Sequence, residues 1–317
     1  MSTNRRRLPQ LDATRFLTDG GLETSLIFDD GIDLPEFAAF PLLADADGRD
    51  ALERYFERYL AIARRDRVGI VLESATWRAS SDWGELLGYT PATLESLTRS
   101  AVELLHELRD RHESPETPVV ISGCIGPRGD GYQPGEMMSR DEALAYHRPQ
   151  ARILADAGVD LITGITMTSS EEAIGVALAA IETGTPAVMS FTVEVDGVLP
   201  SSESLGAAIE AVDAATDGYP AYYMVNCAHP THFAGVLDAT APWCARLKGV
   251  RANASKMSHA ELDESPVLDA GDPQELAADY VALRSRLPHL SVFGGCCGTN
   301  EVHIDAISAA LAAAGGG

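Results

Sequence analysis

Short runs of apolar, often β-branched residues alternate along the chain with longer segments whose apolar positions recur every three or four residues. The first pattern reads as buried strand and the second as amphipathic helix. Strands are predicted at Phe16–Asp19, Gly69–Glu73, Val119–Ser122, Asp160–Thr163, Ala187–Phe191, Tyr222–Asn226, Val250–Asn253 and Ser291–Phe293. Helices are predicted over Asp50–Arg65, Pro91–His112, Arg140–Ala157, Ser170–Glu182, Glu203–Ala214, His229–Asp238, Pro273–Leu287 and Asn300–Ala313. Pro91 and Pro230 suit first helical turns, and Ser169 and Ser170 with Glu171 and Glu172 suit a capped, acidic helix start.

Strand followed by helix, repeated in order, implies a parallel sheet with right-handed crossovers. Eight such units in 317 residues favour one α/β domain, a (β/α)8 TIM barrel over residues 1–317 with short flexible ends, the last being Ala312–Gly317. No strand is followed by G-x-G-x-x-G, which weakens an open dinucleotide-binding sheet.

Composition narrows the function. The formal charge of −23, from 47 acids against 24 bases, repels nucleic acid and anionic membranes. Lys248 and Lys256 are the only lysines; high salt selects such a surface, and a biased genome yields the same arginine preference. The three N-terminal arginines precede no apolar stretch, and no run approaches the ~18 apolar residues of a membrane span. Five cysteines, an odd number in a long chain, argue against a disulfide framework and for a reduced, cytoplasmic setting. Nothing in the chain indicates an oligomeric state.

Active sites of such barrels form at the C-terminal ends of the strands. There the sequence has Asp19-Gly20-Gly21, Glu73-Ser74-Ala75-Thr76, Gly123-Cys124, Asn226-Cys227, Asn253 and Gly294-Gly295-Cys296-Cys297-Gly298. Cys227, Cys296 and Cys297 therefore converge from strands six and eight, on a turn whose glycines accept unusual dihedrals. Three thiolates make a good Zn2+ site with one open position. Such a site is already anionic, so it polarises carbonyls poorly, yet it can strip the proton from an incoming thiol of ordinary pKa ~8.5. The ligand set points to thiol alkylation. Cys124 and Cys244 read as structural, since buried cysteine is commonly a small hydrophobe. His229 and His232 read as a helix start rather than as ligands. Glu194, Asp196 and Ser201–Ser204 read as solvated loop.

These motifs resemble the homocysteine S-methyltransferase family, in Thr18-Asp19-Gly20-Gly21, Val225-Asn226-Cys227 and the Gly-Gly-Cys-Cys-Gly turn. Glu73–Ser80, Ser122–Pro127 and Val302-His303-Ile304 extend the likeness over almost the whole chain. The resemblance implies bound zinc on Cys227, Cys296 and Cys297 and transfer of a methyl group to homocysteine. It implies contacts of Asp19, Gly20 and Thr76 with the amino-acid portion of homocysteine, and Asn226 beside the metal. Asn253 and Glu73 join them as candidate substrate contacts, Asn253 because it ends a strand on the functional face. The short chain looks most like the enzymes that use S-methylmethionine, with betaine or another methylsulfonium as other donors.

One departure bears on the substrate. The family's fourth strand ends in a glutamate that receives the substrate ammonium, and that position here is Ile165. The lost charge-assisted hydrogen bond is worth about 1.5–3 kcal/mol, so either Glu23 or Glu73 supplies it or the acceptor is another thiol or selenol. Arg78 stands where the family often has an uncharged side chain, which favours an extra anionic group on the substrate. A third reading is a zinc-binding barrel without catalysis.

Overall fold

The computed structural model describes residues 3–12, 15–132, 135–264 and 267–315. Eight parallel strands close in chain order into a barrel: β1 (Phe16–Leu17), β2 (Gly69–Glu73), β3 (Val119–Ile125), β4 (Leu161–Met167), β5 (Ala187–Phe191), β6 (Tyr222–Asn226), β7 (Leu247–Ala252) and β8 (Val292–Gly295). β1 has only two residues, yet it pairs with both β2 and β8 and so seals the barrel. The strands carry almost no exposed position because helices cover them outside and side chains fill them inside.

Phe16, Val71, Val120, Leu161, Val188, Tyr222, Met224 and Val292 pack together in the interior. Each such burial stabilises by roughly 1.5–3 kcal/mol, and layers of this kind make the barrel a packed core rather than a pore. Leu8 joins this cluster from below, while Ser291 Oγ donates to Gln10 O at 2.9 Å and Asn4 Nδ2 to Val119 O at 3.0 Å. The N-terminal segment thus plugs the end where the strands begin.

The main helices on the outside are Ala46–Asp66, Pro91–His112, Arg140–Ala157, Ser170–Thr183, Leu205–Thr216, Pro273–Arg286 and Glu301–Gly315. Their starts are chemically marked: Asp45, Thr90, Ser139, Ser169, Ser204 and Asp272 each accept a backbone N–H at the first turn. The unit after β6 differs from expectation. The helix predicted over His229–Asp238 is one short turn, Pro230–Phe233, followed by a 3-10 turn at Ala234–Val236. β3 and β4 run past their predicted ends, to Ile125 and Met167, because Gly123 and Gly164 continue the strand instead of ending it. The last helix reaches Gly315, and Gly316 and Gly317 of the predicted frayed tail lie outside the described residues. No helix among the described residues is long and apolar enough to cross a membrane.

Candidate metal centre and substrate cavity

The sulfurs of Cys227, Cys296 and Cys297 lie within 4.8 Å of one another at the C-terminal end of the barrel. Cys227 follows β6 directly, with its backbone in the left-handed region at φ 53°. Three groups hold its carbonyl oxygen: His259 Nε2 at 2.7 Å, Asn253 Nδ2 at 3.1 Å and Thr192 Oγ1 at 3.4 Å. The turn after β8 is anchored by Cys296 N–H to Ala252 O at 2.8 Å and by Ala254 N–H to Cys297 O at 3.1 Å. Gly298, at φ +77°, closes the turn, and a Cβ on Gly21 would come within 2.6 Å of Cys296 O. Those two positions need glycine for conformation and for close approach respectively.

Cys227 and Cys296 are joined as a disulfide, with Cα atoms 5.3 Å apart, while Cys297 is a free thiol. The sequence argued against a disulfide framework, and this single pair lies inside the predicted ligand set. Donors placed to converge on one ion are also near enough to bond to each other. Once the pair is reduced, the donor set fits a tetrahedral ion, whose sulfurs at about 2.3 Å from the metal would stand about 3.8 Å apart. No other His, Cys, Asp or Glu group of this kind occurs among the described residues. Burial pushes the Cys297 thiol up to about 11, so only a nearby cation would make it a thiolate at neutral pH.

The sulfurs are surrounded by a polar frame. Asn226, fully buried, accepts at Oδ1 from Thr166 N–H at 3.0 Å and from Ser190 Oγ at 2.6 Å, and its Nδ2 donates to Thr166 Oγ1 at 2.8 Å. Asn226 Nδ2 also faces Cys296 Sγ at 3.9 Å, and Thr166 Oγ1 faces Cys227 Sγ at 3.8 Å. Thr166 is itself strained, at φ 63°, where β4 slips register against β5.

The cysteines open onto a cavity of about 400 Å3. Asp19, Gly20 and Glu73 line it, as do Glu23, Ile165 and Arg78. Thr76, Asn226 and Asn253 do not. Thr76 Oγ1 donates to Cys124 O at 2.7 Å, and Asn253 Nδ2 spans Cys227 O and the Tyr132 hydroxyl at 3.3 Å. Asn226 is thus committed to β4 and β5, and Asn253 to the turn that carries Cys227. Cys124 is buried and lines the cavity, whereas Cys244 is buried in the outer core. His229 caps its helix through Thr231 N–H at 3.3 Å, and His232 Nε2 pairs with Lys256 O at 2.9 Å.

Three residues with no sequence-level assignment shape the cavity. Arg251, buried in β7, reaches past β8 to Asp19 Oδ1 at 2.6 Å. The Tyr132 ring stacks on His259 with centroids 4.0 Å apart, and His259 Nδ1 meets Glu194 Oε1 at 3.1 Å. Glu194 is therefore part of this frame rather than only a solvated loop residue. Arg78 lies over the Trp83 ring at 4.0 Å and pairs with Asp130 at 3.2 Å. A charged residue between the buried strand positions Val250 and Ala252 was the one available signal for Arg251; Tyr132, in a loop, and His259, which opens the short helix His259–Glu264, carry none.

A closed parallel barrel with a cluster of three cysteine sulfurs on its C-terminal rim defines the class: an α/β barrel whose rim sulfurs could hold a metal ion. The chain belongs to the homocysteine S-methyltransferase family, whose model matches residues 16–311. It is 26% identical over 313 residues to homocysteine S-methyltransferase 1 of Arabidopsis thaliana, covering 92% of each chain. It is 28% identical over 261 residues to homocysteine S-methyltransferase of Escherichia coli strain K12, covering 74% of this chain and 78% of that one. The solved structure of the homocysteine methyltransferase MmuM from Escherichia coli in its oxidized form matches with TM-score 0.76 at 20% identity, over 97% of this chain and 99% of that one. The metallated form of the same protein matches with TM-score 0.75 at 18% identity, over 96% and 99%. These structural likenesses show the fold.

Proposed function

We propose that the protein is a zinc-dependent S-methyltransferase that moves a methyl group from a sulfonium or ammonium donor, S-methylmethionine before others, to homocysteine, giving methionine. The observation that carries this reading is the meeting of Cys227, Cys296 and Cys297 within 4.8 Å at the cavity. Reduced, these three would hold Zn2+. The ion would supply one thing, a lowered pKa for the acceptor thiol, so that it reacts as a thiolate at neutral pH.

The remaining work belongs to the chain. With S-methylmethionine, the donor's sulfur–methyl bond breaks as a new one forms to the acceptor sulfur, the donor leaves as a neutral thioether, and the acceptor proton passes to solvent. Asn226 and Thr166 hold the Cys227 and Cys296 sulfurs in place. Asp19, Gly20 and Glu73 line the space for the amino-acid portion. Trp77, Phe37 and Tyr132 wall the same cavity and keep water from competing. The working compartment is a reducing cytoplasm, where the cysteine pair stays open.

Ile165, buried at the cavity wall, favours a second reading in which the acceptor is a different small thiol or a selenol. A zinc-binding barrel without catalysis is the non-enzymatic alternative. The test is methionine formation, read by mass spectrometry, from homocysteine and S-methylmethionine with reduced, zinc-loaded protein. Methionine that vanishes in Cys296→Ser supports the proposal. Turnover only with other thiols moves the acceptor, and no turnover with any thiol and any methyl donor leaves the scaffold.

A further inference from the structure

Two carboxylates and one guanidinium meet in the upper interior of the barrel, and their charges do not balance. Arg251 gives one N–H to Asp19 Oδ1 at 2.6 Å and its Nε–H to Gly295 O at 3.1 Å. The other Asp19 oxygen accepts from the Tyr55 hydroxyl at 3.1 Å. Asp19 is therefore satisfied on both oxygens. Glu73 is not: Oε1 stands 3.7 Å from Arg251 Nη1, and Oε2 is buried with no hydrogen-bond partner. The hydroxyls of Ser122 and Thr163, bonded to each other at 2.7 Å, lie close enough to favour an ionised Glu73 slightly, but they bring no charge.

A buried carboxylate that shares its one cation with a second acid is costly, and its unpartnered oxygen is where a cationic ligand would complete the pairing. Glu73 lines the same cavity as the three cysteines, so a molecule with its sulfur at the cysteines has Glu73 on its path. From β4 that cavity receives only Ile165 and Thr166, neither of which is an acid. The other acids on its wall are already engaged or solvated. Asp130 pairs with Arg78, Asp269 accepts from Ser255 Oγ at 2.6 Å, and Glu23, whose carboxyl burial also pushes up to about 7, is only half-buried and keeps a face to water that Glu73 lacks.

We propose that Glu73 Oε2 receives the ammonium group of an α-amino-acid thiol, with Arg251 as the positioning residue that holds Glu73 and Asp19 in register. The substrate cation supplies the missing positive charge, and the ammonium subsite lies on β2 across from the apolar wall at Ile165. This inference rests on the proposed reading of the site as a thiol methyl acceptor.

Calorimetric binding to the whole, reduced, zinc-loaded protein tests it with two probes: homocysteine, and 4-mercaptobutanoate, which keeps the thiol and carboxylate but lacks the amine. Wild type should bind homocysteine about 10- to 100-fold more tightly than 4-mercaptobutanoate. Glu73→Gln should lose that preference by weakening homocysteine alone, and Glu73→Asp should keep part of it. The near-isosteric Gln leaves the fold intact, which the unchanged 4-mercaptobutanoate affinity would itself report. Equal loss for both probes, an intact preference in Glu73→Gln, or loss of preference in Glu23→Gln instead would overturn the assignment. So would a wild type that does not discriminate, which leaves thiol methylation standing with an acceptor that needs no amine. Failure of zinc-loaded wild type to bind either thiol overturns this inference together with the reading beneath it.

Discussion

Arg251 reaches from β7 over β8 to bond the Asp19 carboxylate after β1 at 2.6 Å, with both side chains almost wholly buried. The pair ties together the two ends of the chain's barrel at its seam, where β1 contributes only two residues. Its removal strands charge: Arg251→Leu leaves Asp19 and Glu73 buried without a cation. Loss of one partner from such a pair costs about 3–5 kcal/mol, which urea unfolding of the variant at neutral pH should show. A loss below about 1 kcal/mol would mean that the pair is solvated and structurally idle.

Asn226 bonds Thr166 and Ser190 and also faces the Cys296 sulfur, so its effect passes through the ligands. Asn226→Ala should weaken zinc binding about 10- to 100-fold, the usual consequence of deleting an outer-shell partner. Competition with a chromophoric chelator measures it. Unchanged affinity would relegate Asn226 to packing.

Burial pushes Glu73 up to about 7 from its ordinary 4.5. Between those values the folded protein holds a proton that the unfolded chain has released, so stability falls as pH rises through that window and stays lower above it. Glu73→Gln removes the penalty. Without ligand, the variant should gain little on wild type near pH 4.5 and of order 3 kcal/mol at pH 8, as denaturant melts at the two pH values would report. A gain independent of pH would show that Glu73 is ionised and stabilised throughout.

On the proposed reading the Cys227–Cys296 bond and a bound metal would compete for the same sulfurs. Oxidised protein should take up almost no zinc, and reduction should restore about one equivalent. Metal analysis after desalting, with thiol titration alongside, checks this. Full zinc uptake by oxidised protein would put the metal elsewhere.

Much of this molecule was legible in its residues. Apolar runs such as Gly69–Glu73 and Tyr222–Asn226 marked strands that the structure reproduces, because residues buried on both faces leave an unbroken apolar signature. The cysteines stood at strand ends, and barrel closure then brought β6 and β8 to one rim. What local sequence could not carry was direction and partnership across the barrel. Arg251 gains its meaning only when closure sets β7 near β1 and β2. Asn226, Asn253 and Thr76 looked like substrate contacts by position, yet their polar atoms turn to backbone and neighbouring side chains. The His259 and Tyr132 stack joins a helix start to a loop far apart in the chain, and no periodicity announces such a pairing.

The central claim is that three cysteine sulfurs hold one zinc and leave one place for an acceptor thiol. X-ray absorption at the zinc edge, on reduced protein before and after homocysteine is added, tests it most directly. The account predicts three sulfur neighbours at about 2.3 Å, rising to four when homocysteine binds, with Cys296→Ser losing both the metal and the change. A sulfur count that stays constant on adding homocysteine, or zinc bound without the cysteines, would contradict it.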